Sequence, residues 1–177
     1  MTRPSFDPFS TDLDRDRALR VLRDAVAGAD DGELFLERSQ SESLVFDDGR
    51  LRNSSFMAGR GFGLRAVLGE VTGYAHSTEI TEASLRRAAE TARLAVGRGG
   101  GTAALASPMR PVSLYPAIDP AEGIPVARRI ALLREIDAFA RALDPRVVQV
   151  TVSMGSSLQE VAILRPEGGL ATDIRPM

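Results

Sequence analysis

The side chains best placed to do chemistry are one imidazole, His76, and four charged groups in or beside glycine-rich strand ends: Arg65, Glu70, Asp173 and Arg175. A histidine can move a proton near neutral pH. A guanidinium or carboxylate beside bare glycine backbone can meet a ligand or partner at close range. Each has a plainer reading as well. A lone histidine at the end of a strand is more often solvated or hydrogen-bonded than reactive, and strand-end charges usually serve the fold. Any serine nucleophile would have to use His76, no G-x-S-x-G elbow is present, and Met154-Gly155-Ser156-Ser157 reads as a hairpin turn. The adjacent carboxylates Asp30-Asp31 and Asp47-Asp48 would suit acid–base work if their pKa values were driven apart. Both pairs lie in turns beside glycine, where acids bond to local backbone donors.

Composition removes several chemistries. The 177 residues contain no cysteine, which excludes disulfides and thiolate zinc sites. One histidine with scattered carboxylates cannot supply the common catalytic zinc sets. All 22 basic residues are arginine, so a Schiff-base lysine and a P-loop lysine are both absent. The arginines are spread among 24 acids, giving a net charge of -2 and no basic stripe for nucleic acid. With 44% hydrophobic residues, only short apolar runs and no signal-like N-terminus, the chain reads as cytoplasmic, without a membrane span.

The stretch from Asn53 to Ser77 carries glycines at 59, 61, 63, 69 and 73. Within it, Gly61-Phe-Gly63-Leu-Arg-Ala66 fits the dinucleotide pattern G-x-G-x-x-A. That pattern needs a helix opening from it. Here Val-Leu-Gly-Glu-Val-Thr-Gly-Tyr follows, in which Gly69, Gly73 and β-branched residues oppose helix. The stretch predicts a β-hairpin instead, with strands over 61–68 and 70–76 about a turn at 68–70.

Around it, the apolar positions Ala18, Leu19, Leu22, Ala25, Val26 and Ala29 predict a helix over about 12–28, capped by Ser10, Thr11 or Asp12. Strands are expected at 33–38, 43–46 and 51–56, the last two joined by Asp47-Asp48-Gly49-Arg50. Leu85, Ala88, Ala89, Ala92 and Val96 predict a second helix over 81–96, whose alanine-rich face implies close approach to the sheet. Gly97 is its C-cap, and Gly99-Gly100-Gly101 follows a helix C-terminus, which suits a connector better than a phosphate loop.

Residues 98–123 read as a long connection, and 1–11 as a flexible lead-in. A third helix is expected over 125–143, with Leu132, Ile136, Phe139, Ala140 and Leu143 as its buried stripe. Strands follow at 148–154, 158–165 and from Leu170. Five strands, two helices and three further strands after the first helix give an α+β class: a two-layer sandwich of a mainly antiparallel sheet with helices on one face. The whole of 1–177 reads as one N-terminal domain whose ending looks cut.

Four passages in order resemble the TldD/PmbA family, the modulators of DNA gyrase now regarded as metallopeptidases. They are Glu33-Leu-Phe-Leu-Glu-Arg38 with the acidic hairpin to Gly49, the glycine hairpin from Gly61 to His76, Leu114-Tyr-Pro-Ala-Ile-Asp-Pro120, and Glu167-Gly-Gly-Leu-Ala-Thr-Asp-Ile-Arg-Pro176. The last is more TldD-like than PmbA-like. The resemblance implies the non-catalytic N-terminal part of a TldD-like zinc peptidase that handles unfolded or modified peptides and pairs with a TldE/PmbA-like subunit. The family's H-E-x-x-x-H motif and distant cysteine are expected in a C-terminal domain, zinc with them. No catalytic, metal or cofactor residue carries over; Arg65, Glu70, His76, Asp173 and Arg175 remain candidates for peptide or partner contact. The competing reading is a stand-alone interaction or regulatory module without catalysis.

Overall fold

The computed structural model describes residues 6–97, 114–116 and 118–177. Their element order is α1 (Pro8–Thr11), α2 (Arg15–Ala25), β1 (Asp31–Asp47), β2 (Arg50–Leu68), β3 (Val71–Ser77), α3 (Glu82–Val96), α4 (Val126–Leu143), β4 (Thr151–Leu164) and β5 (Leu170–Pro176). The strands form one antiparallel sheet in the order β3-β2-β1-β4-β5, so the α+β class holds. The chain divides into two compact units, one of residues 1–38, 59–114 and 160–174, the other of 39–58, 115–159 and 175–177.

In the first unit, Asp14 caps α2 by accepting from the Arg17 N–H at 2.8 Å, two residues after the expected cap positions, because residues 8–11 form a helical turn of their own. Thr81 caps α3 in the same way through the Ser84 N–H, and Gly97 follows its end as expected. Ala18, Val21, Leu22 and Ala25 of α2, with Leu85, Ala88, Ala89 and Ala92 of α3, bury against Leu34, Leu36, Phe62, Leu64, Ala162 and Leu164 of the sheet. The alanine face does bring α3 close: a Cβ at Gly73 would collide with the Ala92 carbonyl oxygen. In the second unit, α4 packs through Leu133 on Leu44 and Phe46, with Ile130, Val152 and Met154 beside them.

Three expectations are corrected. The separate strands at 33–38 and 43–46 are one 17-residue strand, and those at 51–56 and 61–68 are one 19-residue strand. The polar run Ser39-Gln-Ser-Glu-Ser43 lacks an apolar partner set, yet the ladder to its neighbours carries it. The turn expected at Met154–Ser157 is likewise continuous strand within β4, which starts at Thr151 rather than Val148. The third correction concerns α4: Leu132 and Ile136 are 40% exposed, Phe139 68% and Leu143 69%, while Leu133 and Asp137 are the buried positions. The glycine run at 99–101 and most of the 98–123 connection lie outside the described residues. Of the lead-in, residues 6–11 are described and include α1.

Candidate functional site

The glycine hairpin forms as expected, with Phe62 opposite Ser77 and Leu68 opposite Val71. Gly69 takes φ +58 in the turn, a value costly for other residues, and its N–H donates to Asp30 Oδ2 at 2.7 Å. Cross-strand partners share a face. Phe62, Leu64 and Ala66 point into the core, so Gly63 and Arg65, with their partners His76 and Tyr74, occupy the opposite face. The Tyr74 phenol fills the space that a side chain at Gly63 would need, and its ring stacks on His76 with centroids 5.8 Å apart.

His76, exposed, lines an open cleft of about 420 Å³ with Tyr74, Ser77, Ser84 and Arg87. The Ser84 hydroxyl is nevertheless committed, donating to Glu79 Oε2 at 3.2 Å and accepting from Arg87 at 2.9 Å. Arg65 is equally engaged. Its Nε reaches Glu33 at 3.1 Å and its Nη2 reaches Asp31 at 3.4 Å, while Arg165 takes the other oxygens of both carboxylates at 3.0 and 2.6 Å. Two cations and two anions close a neutral square, partly buried, that ties β2, β1 and the end of β4 together.

Glu70 stands exposed beside the β2–β3 turn. Asp173 accepts its neighbour Ile174's N–H at 3.0 Å and lines a separate cavity of about 280 Å³ with Phe6, Phe9, Glu160, Leu170 and Thr172. Arg175 belongs to the other unit and donates to Gln159 Oε1 at 3.3 Å. Of the five candidates, only Arg65 and His76 share a sheet face through adjoining register pairs. The five do not form one centre.

Sequence reasoning passed over a buried ion pair in the first unit. Glu160 is 6% exposed, bonds Arg38 through both oxygens at 2.7 to 2.9 Å, and accepts the Phe6 N–H at 3.1 Å. Arg38 also lies over the Phe6 ring, 5.4 Å from its centroid. Strand parity held the signal: Arg38 alternates with Leu34 and Leu36, and Glu160 with Leu158, Ala162 and Leu164, so both point inward. Among the described residues no three His, Cys, Asp or Glu side chains converge to hold a metal ion, so they do not fit a zinc ion. No helix among them is long and apolar enough to cross a membrane.

The second unit offers a different kind of site, made of backbone. In the strand order β2's outer neighbour is β3, whose register ends at Phe62. Among the described residues, therefore, nothing pairs with that edge of β2 from Arg50 to Ala58, and every residue there is exposed. Asp48 and Gly49, both at positive φ, set the β1–β2 turn. Asp47, at its base, accepts from the Thr151 hydroxyl at 2.7 Å and the Gln149 amide at 3.2 Å. These bonds, with Arg52 nearby, hold its carboxyl below the usual range. A free row of N–H and C=O groups can take up an extended chain as a further strand. Reading 51–56 and 61–68 as separate strands concealed this edge.

Two family models match the chain: PmbA/TldA metallopeptidase domain 1 over residues 32–96, and PmbA/TldA metallopeptidase central domain over 119–177. A metalloprotease TldD homolog of Haemophilus influenzae is 40% identical over 154 residues, covering 84% of this chain and 31% of its own length. A second, from Buchnera aphidicola of Acyrthosiphon pisum, is 30% identical over 148 residues, with 83% and 31% covered. The chain thus spans about a third of the length of these curated relatives. Among solved structures, a putative modulator of DNA gyrase from Thermotoga maritima superposes with a TM-score of 0.68 at 16% identity, covering 92% of this chain and 36% of that one. TldE from Thermococcus kodakarensis gives 0.66 at 15%, with 89% and 37% covered. At such identities the structural likeness speaks for the fold.

Proposed function

The chain belongs to the PmbA/TldD metallopeptidase family, and from that premise we propose that it is the non-catalytic, peptide-presenting portion of a TldD-like zinc metallopeptidase subunit. Its work is to hold an unfolded or modified peptide extended, while the zinc and the hydrolytic residues belong to the remainder of the parent protein. The observation that carries this reading is the exposed β2 edge from Arg50 to Ala58. An unstructured peptide satisfies that edge with its own backbone, so the site reads extended conformation more than sequence. Leu51, Asn53, Ser55 and Met57 on one face, and Arg52, Ser54 and Phe56 on the other, give alternate side chains mixed surfaces to rest on. A TldE-like second subunit is the proposed partner, supported by the likeness to TldE, and the cytoplasm the proposed location.

The full-length parent protein tests this with proline placed in the edge. Along an antiparallel strand, consecutive residues turn their N–H groups to opposite sides. Of Ser54→Pro and Ser55→Pro, one therefore breaks the β1 ladder and the other removes only an outward donor. The outward variant is expected to keep its melting temperature and lose about tenfold in kcat/KM on dye-labelled casein, an unfolded protein. A photo-reactive phenylalanine at Met57 should crosslink casein. Wild-type cleavage by both proline variants, together with no crosslink, would sink the proposal.

A further inference from the structure

The helix α4 is inverted with respect to its sequence. Its sheet-facing positions recur every four residues as Arg129, Leu133, Asp137 and Arg141, three of them charged. Arg129 pairs with Glu42, and Arg141 bridges Asp137 at 3.1 Å and Asp48 at 2.5 Å. Packing this row inward leaves two buried atoms, Nε of Arg129 and Oδ1 of Asp137, without a partner among the described residues. Meanwhile Leu132, Ile136, Phe139 and Leu143 follow one another along a stripe about a quarter turn away, open to solvent. The stripe is rimmed by ion pairs: Arg129–Glu42 on one side, and the exposed Arg128–Glu135 pair, 3.2 Å apart, on the other. An apolar centre inside a charged rim is the anatomy of an interface.

We propose that this stripe seats a segment of the same parent polypeptide, from the part of the protein beyond these 177 residues. Two observations choose that occupant. The curated relatives are about three times as long as this chain, and α4 lies inside the match to a domain described as central, one with neighbours to meet. Patch size argues the same way. Four side chains make a patch of a few hundred Å², well below the roughly 800 Å² per partner of a standard interface between separate chains. A covalently tethered segment is present at an effective concentration around millimolar and is held by far less contact. The cover it supplies is an apolar surface, with no charge opposite Phe139 and Leu143, where desolvation would oppose docking. This assignment does not depend on peptide binding at the β2 edge, and each can fail without the other.

Thiol labelling of the full-length parent protein decides it. Phe139→Cys and Leu143→Cys place thiols in the stripe, and Arg134→Cys places one on the opposite side of the same helix. Modification by N-ethylmaleimide is followed at each site by mass spectrometry of its peptide. Melting temperatures identify any variant that unfolds, and the two stripe sites back each other up. The expected result is labelling at least about tenfold slower at 139 and 143 than at 134, at a ratio unchanged by dilution; that factor corresponds to about 1.4 kcal/mol of protection. Equal rates at all three sites would overturn the proposal. So would protection that vanishes on dilution, which would mean a second copy, or that needs an added TldE-like subunit.

Discussion

The two units use the same α-on-β arrangement in opposite ways. In the first, α2 and α3 turn their apolar stripes onto the sheet, and Leu22, Leu34, Leu36, Leu64, Leu85 and Leu164 are fully buried. In the second, α4 meets the sheet through Leu133 flanked by charged residues, with Leu44 and Phe46 as the rest of its core. Hydrophobic burial is the main favourable term in folding. The first unit is therefore held by a buried apolar core, while the second leaves apolar surface in water and satisfies its inner face with ion pairs. That difference teaches where each unit directs its chemistry: the first inward, as a scaffold, and the second outward, through an open strand edge and an open helix face.

Buried charge gives the largest contrast. Arg38→Met in the first unit removes the cation facing the buried Glu160 carboxylate, and unfolding in urea is expected to show a loss of about 3–5 kcal/mol. The double variant Arg38→Met/Glu160→Met should recover most of that. Asp137→Leu in the second unit takes one of two carboxylates from Arg141, which keeps Asp48 and is 31% exposed, so its loss is expected to stay below about 1 kcal/mol. Equal losses from the two single variants would erase the distinction. Truncation comes next. Leu85→Ala in α3 is expected to lose about 2–5 kcal/mol, whereas Phe139→Ala in α4 changes the stability of these 177 residues by less than about 0.5 kcal/mol. A large loss at Phe139 in the longer parent protein, and only there, would sharpen the case for a cover.

The glycine hairpin resolves the same contrast within a single stretch. Gly73→Ala pushes a methyl into the Ala92 carbonyl oxygen, and thermal unfolding is expected to show a loss of about 1–3 kcal/mol. At Gly59 an added methyl meets nothing, so Gly59→Ala should be neutral or slightly stabilising. Tolerance at both positions would mean that α3 does not sit as close to β3 as its alanine face requires.

What the sequence made legible follows the same division. The α3 stripe, the glycine hairpin and the α+β class were readable because local periodicity and tertiary burial agree in the first unit. For α4 the period was right and the direction wrong: Leu132, Ile136, Phe139 and Leu143 do form a stripe, but periodicity does not say what a stripe packs against. The long strands were missed at Ser39–Ser43 and Met57–Arg60, where no apolar alternation marks a strand that its neighbours impose. Of the five candidate residues, Arg65 proved to belong to an ion square whose other members, Asp31, Glu33 and Arg165, lie far apart in sequence. The open β2 edge has no side-chain signature at all, since its chemistry is backbone.

Acid gives the smallest effect and separates the units by mechanism. Asp47 in the second unit is held below the ordinary carboxylate range first by the Thr151 hydroxyl and then by the Gln149 amide, both uncharged. Glu82 in the first unit is held down first by Arg86 and then by Arg17, both cations. In each case the folded pKa lies below the unfolded one. The stabilisation is therefore complete above the unfolded value, around pH 4, and is lost as the pH falls from there through the folded value. Salt tells the two causes apart, because it screens exposed ion pairs far more than hydrogen bonds between a carboxylate and neutral donors. Urea midpoints measured at pH 5 and pH 3 should converge for Thr151→Val and for Arg86→Met, each variant having lost part of the acid-sensitive stabilisation. With 1 M salt added, the Thr151 contribution should persist and the Arg86 contribution should shrink. If salt removed both alike, the Asp47 carboxylate would be held by Arg52 rather than by the hydroxyl, and the base of the open β-hairpin would be fastened by charge.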